Sequence, residues 1–545
     1  MSKERLYLFD TTLRDGAQTQ GVDFSVEDKR LVAKLLDRLG LDYVEGGYPG
    51  ANPTDTDFFS TDPELKHATF TAFGMTKRAG RSADNDPGLA ALFESKASAI
   101  CLVAKAWDFH VDVALGITNE ENLETITDSV RAIVARDREA LIDCEHFFDG
   151  YKANPDYAKA CVKAALDEGA RWAVLCDTNG GTLPHEVERI VTELTKLFPG
   201  DRLGIHAHND TENAVANTLA AVRAGVRQIQ GTLNGLGERC GNANMVSLIP
   251  TLLLKSDYAD KFEIGIDEAG LKDLTHVSRT LDELLNRAPN RYAPYVGESA
   301  FASKAGIHVS AIMKDPTTYE HVPPETVGNK RHMLVSDQSG RANIIAQFEA
   351  IGIDLDAKDP RVGRLLDEVK EREYLGYSYD GAEASFEMLA KRMLGLVPEY
   401  FTVNSFRVLV ERRHNALGEL VTMSEATTKV VVDGEQFISV GEGNGPINAL
   451  DEALRKDLGK YQSYIGDIRL VDFKVRILTG GTEAVTRVLI ESADSEGNRW
   501  FTVGVSPNIV DASFQALSDS MTYKLLRDGA PAPLSEQNRP TLKKP

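Results

Sequence analysis

The sequence has 545 residues, 42% of them hydrophobic and 26% charged, a balance that excludes a disordered chain and calls for roughly two to four globular domains. A formal net charge of -21 repels nucleic acid and anionic membrane, so neither is an expected partner. An anionic small molecule then needs a local positive site, from arginine or a metal ion.

Over residues 1–255 one theme recurs eight times: a short apolar strand, a polar or Gly-bearing turn, then a helix. Strands are predicted at 7–10, 43–46, 69–74, 99–105, 141–147, 172–178, 203–208 and 228–234. Helical periodicity fills the gaps, as at 25–40 and at 154–169, where an Asn N-cap precedes Pro and a Gly closes the segment. Eight such units in this length match a closed (β/α)8 TIM barrel. A doubly wound sheet usually carries a Gly-rich phosphate turn after its first strand, and FDTTLRDGAQ is not one. Residues 256–400 read as a mostly helical linker completing the active site, and 401–530 as an α+β domain. Within the latter, 428–456 and 486–519 both read strand, turn, strand, Gly-rich bend, helix, which suggests internal pseudo-symmetry. The tail at 531–545 reads as disordered.

Five scattered cysteines (Cys101, Cys144, Cys161, Cys176, Cys240), none spaced as CxxC, argue against a disulfide framework and for a reducing compartment. The N-terminal MSKERLYLFD lacks a signal-peptide apolar run, and no stretch approaches the roughly 20 apolar residues that span a bilayer. The expectation is a cytoplasmic protein.

Reactive groups of a (β/α)8 barrel belong at the C-terminal ends of its strands. Polar residues collect there: Asp10, Arg14 and Asp15 after strand one, Glu45, Lys105, Glu145, Asp177–Asn179, and the NGLGERCGNAN loop after strand eight. His206 and His208 are two apart on strand seven, so both imidazoles point the same way and can meet one metal ion. An isolated HxH is more often two polar residues at a strand end, but here Asp15 offers a carboxylate and Asn242 an amide oxygen. That mixed N/O set suits catalytic Mg, Mn, Co or Zn better than a closed structural zinc site. Arg14 is either a rim salt bridge or a cationic fork for a carboxylate or enolate oxygen. Glu145 is a base or a structural hydrogen-bonding group, and the Thr178 hydroxyl is placed to hold a substrate carboxylate. The glycine runs at 235–242 and 441–446 lack dinucleotide-binding context, and no nucleotide is assigned to them.

DTTLRDGAQTQG (10–21), GIHAHND (204–210), NGLGERCGNAN (234–244) and KAGIHVS (304–310) resemble the signatures of the 2-isopropylmalate synthase and homocitrate synthase superfamily. Within it, EGGYPGANPTD (45–55), EHFFDGYKANPDYA (145–158) and KEREYLGYSYDGAEASFEML (370–389) most resemble the citramalate synthase branch. The C-terminal part is similar to the leucine-sensing, dimerising domain of isopropylmalate synthases. The resemblance implies a divalent metal on Asp15, His206, His208 and Asn242, a strand-five carboxylate at Glu145, Arg14 beside the metal, and Thr178 on the 2-oxo acid. It also implies His308, from a GIH motif that in relatives reaches a partner subunit's site, and Tyr319 after it. The implied reaction is a Claisen-type condensation of acetyl-CoA with pyruvate to citramalate, on the way to isoleucine, in a homodimer with isoleucine as effector. The alternatives are 2-oxoisovalerate or 2-oxoglutarate as the acid, a hydroxymethylglutaryl-CoA-lyase-type reaction, and a non-catalytic regulator. The EGGYPG loop departs from the isopropylmalate pattern, so that family's keto-acid selectivity does not carry over.

Overall fold

The structure, a computed structural model, describes residues 3–336, 339–356, 358–414, 416–479 and 484–533. The expected disordered tail lies outside the described residues from 534 onward. The chain forms two compact units, Met1–Phe301 with His321–His332, and Ala302–Glu320 with Met333–Pro545.

Eight parallel strands close into a barrel in the first unit. They are β1 (Tyr7–Asp10), β2 (Tyr43–Glu45), β3 (Thr69–Met75), β4 (Ala99–Lys105), β5 (Glu139–Glu145), β6 (Trp172–Asp177), β7 (Leu203–Ala207) and β8 (Gln228–Gly231). β1 pairs with both β2 and β8, which leaves no open edge. Two predicted strands end two or more residues early, each ahead of a residue in the left-handed region. β5 stops at Glu145 because His146 has φ 54°, and β8 stops at Gly231 ahead of a turn in which Asn234 has φ 56°.

Alternation along the strands sorts their side chains. Phe9, Tyr43, Cys101, Leu141, Trp172 and Val174 form one buried cluster, while the alternate residues join the core shared with the helices. Trp172 is fully buried, with its Nε1 donating to Tyr43 Oη at 3.1 Å. Trp172→Ala is therefore expected to cost roughly 3–5 kcal/mol, read from the denaturant midpoint at unchanged m-value.

Local signals set the helices around the barrel. Val26–Leu39 starts at a capping box of Ser25 and Asp28, and Pro155–Asp167 starts at Asn154, whose side chain accepts from Tyr157 N. The unit continues past the eighth repeat. Helix Glu268–Leu284 buries Leu271, Leu274, Val277 and Leu281 on one face, and its Ser278 Oγ donates to Asn234 Oδ1 at 2.6 Å.

The second unit opens with helices Gly306–Ile312, Arg341–Ala350, Pro360–Tyr374 and Glu383–Met393. Two three-stranded antiparallel sheets follow: β9 (Thr402–His414), β10 (Leu420–Val432), β11 (Glu435–Gly443), and β12 (Arg469–Ile477), β13 (Thr486–Ala493), β14 (Arg499–Ser506). Each sheet is followed by a helix, Pro446–Lys456 and Ile509–Arg527, so the repeated pattern is a repeated ββ-helix unit with one further strand before it. Ala426 and Val430 join Ala449 and Leu454 in one core with Val488, Ile490, Ala512 and Ala516. Apolar side chains also stand exposed on the sheets, among them Ile438 at 60% and Ile477 at 68%. No helix among the described residues is long and apolar enough to cross a membrane.

Candidate active site

The C-terminal ends of the barrel strands carry a buried polar cluster. Asp143 and Glu145 climb β5 two residues apart, His206 and His208 do so at the end of β7, and Gln230 sits beside His206 on β8. Arg14, Asp15, Asp143, Glu145, Thr178 and His206 line a cavity of about 200 Å³. A second cavity of about 500 Å³ shares Arg14, Gln18 and Phe73 with the first.

Asp15, His206 and His208 are buried and bring their ligand atoms within 4.8 Å of one another. His206 Nε2 lies 3.2 Å from His208 Nε2 and 3.5 Å from Asp15 Oδ2, and His208 Nε2 lies 3.8 Å from the same oxygen. Donors each about 2.0–2.2 Å from one ion sit at about these mutual spacings. Burial opposes ionisation of Asp15, but the Arg14 guanidinium and His206 hold its carboxyl well below the usual range. Burial and neighbouring His206 push His208 down to about 3, which keeps it a neutral, lone-pair-bearing imidazole.

The fourth expected ligand, Asn242, is buried in the loop after β8. An isolated bridge sets the Asn242 backbone against His208. Asn242 Nδ2 donates to Leu236 O at 3.1 Å, which leaves its Oδ1 buried without a hydrogen-bond partner, as Asp15 Oδ1 also is. Orphaned buried oxygens are costly unless a further group satisfies them, and a hard cation does so. Two glycines let the loop come this close. A Cβ on Gly237 (φ 153°) would lie 2.1 Å from Asn242 Nδ2, and one on Gly241 (φ 89°) 1.9 Å from Gly235 O. The residues present fit a divalent ion.

Arg14 is clamped over this cluster. Its Nε donates to Glu45 Oε2 at 2.8 Å, its Nη1 to Asp15 Oδ2 at 3.1 Å, and its guanidinium stacks 4.0 Å from the Phe73 ring. Thr11 Oγ1 also donates to Glu45. Arg14 is ion-paired, as the rim salt-bridge reading has it, and it also lines the cavity. Glu145 pairs with Lys105 at the end of β4. Thr178 Oγ1 accepts from His146 N at 2.8 Å, so its own proton is free to donate into the cavity.

Several participants escaped the sequence reading. Gln230 and Asp143 carry no motif, and the sequence marks Lys105 only as a strand-end polar residue. Arg239 lies inside the NGLGERCGNAN loop; it forks onto Asp210 at 2.7 and 3.0 Å and donates to Thr178 O at 2.8 Å. The Arg239 hydrogen bond lowers the Asp210 carboxyl. The signal for this pair was available, since GIHAHND ends in Asp210. Lys29 is buried against Asp55 and donates to the carbonyls of Leu13 and Gly46, which ties the EGGYPGANPTD loop to the strand-one turn. His308 and Tyr319 belong to the second unit, where their ring centroids lie 4.4 Å apart with the planes tilted by 35°.

Residues 5–278 match the HMGL-like family model, 295–373 the homocitrate synthase post-HMGL domain-like model, and 380–525 the LeuA allosteric (dimerisation) domain. The chain is 51% identical to an (R)-citramalate synthase of Geobacter sulfurreducens, over 95% of this chain and 97% of that protein. It is 47% identical to one of Aquifex aeolicus, over 96% and 98%. The chain belongs to the (R)-citramalate synthase family. It is an enzyme of that condensing family, and the HMGL-like barrel carries the cluster described above. A third citramalate synthase, of Streptomyces coelicolor, is 48% identical over 97% of this chain and 98% of that one. Among solved structures, the HMG-CoA lyase of Bacillus subtilis is similar with a TM-score of 0.46 at 19% identity, covering 53% of this chain and 97% of that one.

Proposed function

We propose that this enzyme condenses acetyl-CoA with pyruvate and water to give citramalate and CoA. One observation carries the reading: buried Asp15, His206 and His208 converge beside a cavity of about 200 Å³ that meets a larger one, of about 500 Å³, at Arg14. The smaller space suits a three-carbon oxo acid and the larger a thioester arm. Pyruvate is the acid because the relatives at 47–51% identity are citramalate synthases.

Asp15, His206, His208 and Asn242 would hold a divalent cation, which would supply Lewis-acid polarisation of the oxo-acid carbonyl. Thr178 donates to the acid's carboxylate. Glu145, paired with Lys105, takes a proton from the acetyl methyl, and the resulting enolate carbon attacks the ketone carbon. Arg14 keeps N–H donors beyond those given to Glu45 and Asp15, and these stabilise the oxyanion. Water then cleaves the thioester, which releases CoA and makes the reaction irreversible. His308 and Tyr319 assist proton transfer in a homodimer whose C-terminal domains pair through exposed apolar sheet residues such as Ile477. Isoleucine is the effector there, as the end product of the pathway that citramalate enters.

The test is CoA release with Mn²⁺ or Mg²⁺ against pyruvate, 2-oxobutanoate, 2-oxoisovalerate and 2-oxoglutarate, with and without chelator. Cys240 is exposed and reacts with thiol reagents, so each run needs a blank without oxo acid. Release is expected with pyruvate above the other acids and is expected to stop with chelator. Preference for another acid moves the substrate while keeping the chemistry, and no release with any acid overturns the proposal.

A further inference from the structure

We infer that Gln230 and Asp143 are positioning residues that lock His206 in the tautomer whose Nε2 lone pair faces Asp15 and His208. The inference rests on the metal reading above and assigns work to two residues outside the ligand set.

Gln230 is fully buried on β8, and Asp143 is buried on β5. Strands β7 and β8 are in register at Gly204–Gln228 and Ile205–Ile229, which carries His206 alongside Gln230. Gln230 Oε1 lies 2.9 Å from His206 Nδ1, and Gln230 Nε2 donates to Asp143 Oδ1 at 3.1 Å. A primary amide has one donor end and one acceptor end, whereas a carboxylate only accepts. Reversing the amide would set its carbonyl against the Asp143 carboxylate in a buried site, at high cost. The carbonyl end is therefore committed to His206, and Nδ1 must donate to it. An imidazole ligand that donates from Nδ1 has its lone pair on Nε2, the atom 3.5 Å from Asp15 Oδ2.

The two histidines are not equivalent in this respect. His208 Nδ1 is buried and has no hydrogen-bond partner among the described residues. The lock therefore acts on His206 alone, and it reaches across the lumen to a carboxylate that also lines the smaller cavity. Outer partners of this kind orient the ring and set the basicity of the donor atom.

The experiment titrates Mn²⁺ into metal-stripped full-length protein and follows free Mn²⁺ by electron paramagnetic resonance. Gln230→Leu is expected to weaken Mn²⁺ binding roughly 10–100-fold. Gln230→Glu alone places two carboxylates in contact and weakens binding as well. Adding Asp143→Asn to it restores a donor at 143 and an acceptor at 230, and is expected to bring Mn²⁺ affinity back to within a few-fold of the unaltered protein. A residue that only fills space gives no such rescue. A folded Gln230→Leu protein that binds Mn²⁺ as the unaltered chain does, while Asp15→Ala does not, overturns the inference and leaves the metal reading standing. A double variant no better than Gln230→Glu also overturns it, and this comparison decides the matter if Gln230→Leu does not fold. Absence of Mn²⁺ binding by the unaltered protein overturns both.

Discussion

Asp15→Ala is expected to lower turnover by about three orders of magnitude or more while leaving the fold in place. A cation that polarises a carbonyl contributes several kcal/mol to the transition state, and each 1.36 kcal/mol is about tenfold in rate. The fold survives because Asp15 is a poor structural residue. One of its carboxylate oxygens has no partner, and the other, beside Arg14 and the two imidazoles, is not needed to hold the guanidinium, which Glu45 grips at 2.8 Å. Metal-free variant and metal-free parent should thus unfold within a few degrees of each other. Saturating Mn²⁺ separates them. A ligand bound only by the native state stabilises it by about 2.7 kcal/mol at 100 times its dissociation constant, so Mn²⁺ raises the parent's Tm and leaves the variant's unmoved. His206→Ala behaves alike on both readouts. Full activity in both variants would remove the metal from the mechanism.

Arg14→Lys is expected to cost about 10²–10³ in kcat, the range seen when one donor to a developing oxyanion is lost. Lysine keeps the charge but not the planar fork that reaches Glu45 and Asp15 together while lying 4.0 Å over Phe73. Arg14→Met has a different signature. Glu45 is fully buried, and burial already pushes its carboxyl up against the pull of Arg14. Removing the guanidinium leaves that carboxylate unpaired, which is expected to destabilise the protein by roughly 3–5 kcal/mol. Chemical denaturation of both variants beside steady-state kinetics checks the split: kcat falls in the lysine variant at near-parental stability, and both fall in the methionine variant. Equal stability of the two would mean that Glu45 does not depend on Arg14.

The positions of the eight strands were legible because their period of two and their apolar content are local properties, and the predicted strand at 99–105 matches Ala99–Lys105. The ends of two strands were not. His146 and Asn234 adopt left-handed backbone where the residue type permits it, and only the packing around each decides that it does.

The same division runs through the site. His206 and His208 could be read as one metal-facing pair because strand alternation fixes their common side, and Asp15 follows β1 closely enough to be placed at the same end of the barrel. Gln230 and Asp143 could not be read. They lie 87 positions apart, neither belongs to a motif, and what they do depends on closure of the barrel bringing β5 and β8 to face each other. Lys105 and Glu145 likewise become a pair only through the parallel register of β4 and β5. Sequence alone therefore determined which elements form and which side chains enter the lumen, since both follow from periodicity along the chain. Which of those side chains are ligands, which clamp them and which atoms remain unpartnered was decided by tertiary structure, because hydrogen bonds across a barrel join residues that no local pattern relates.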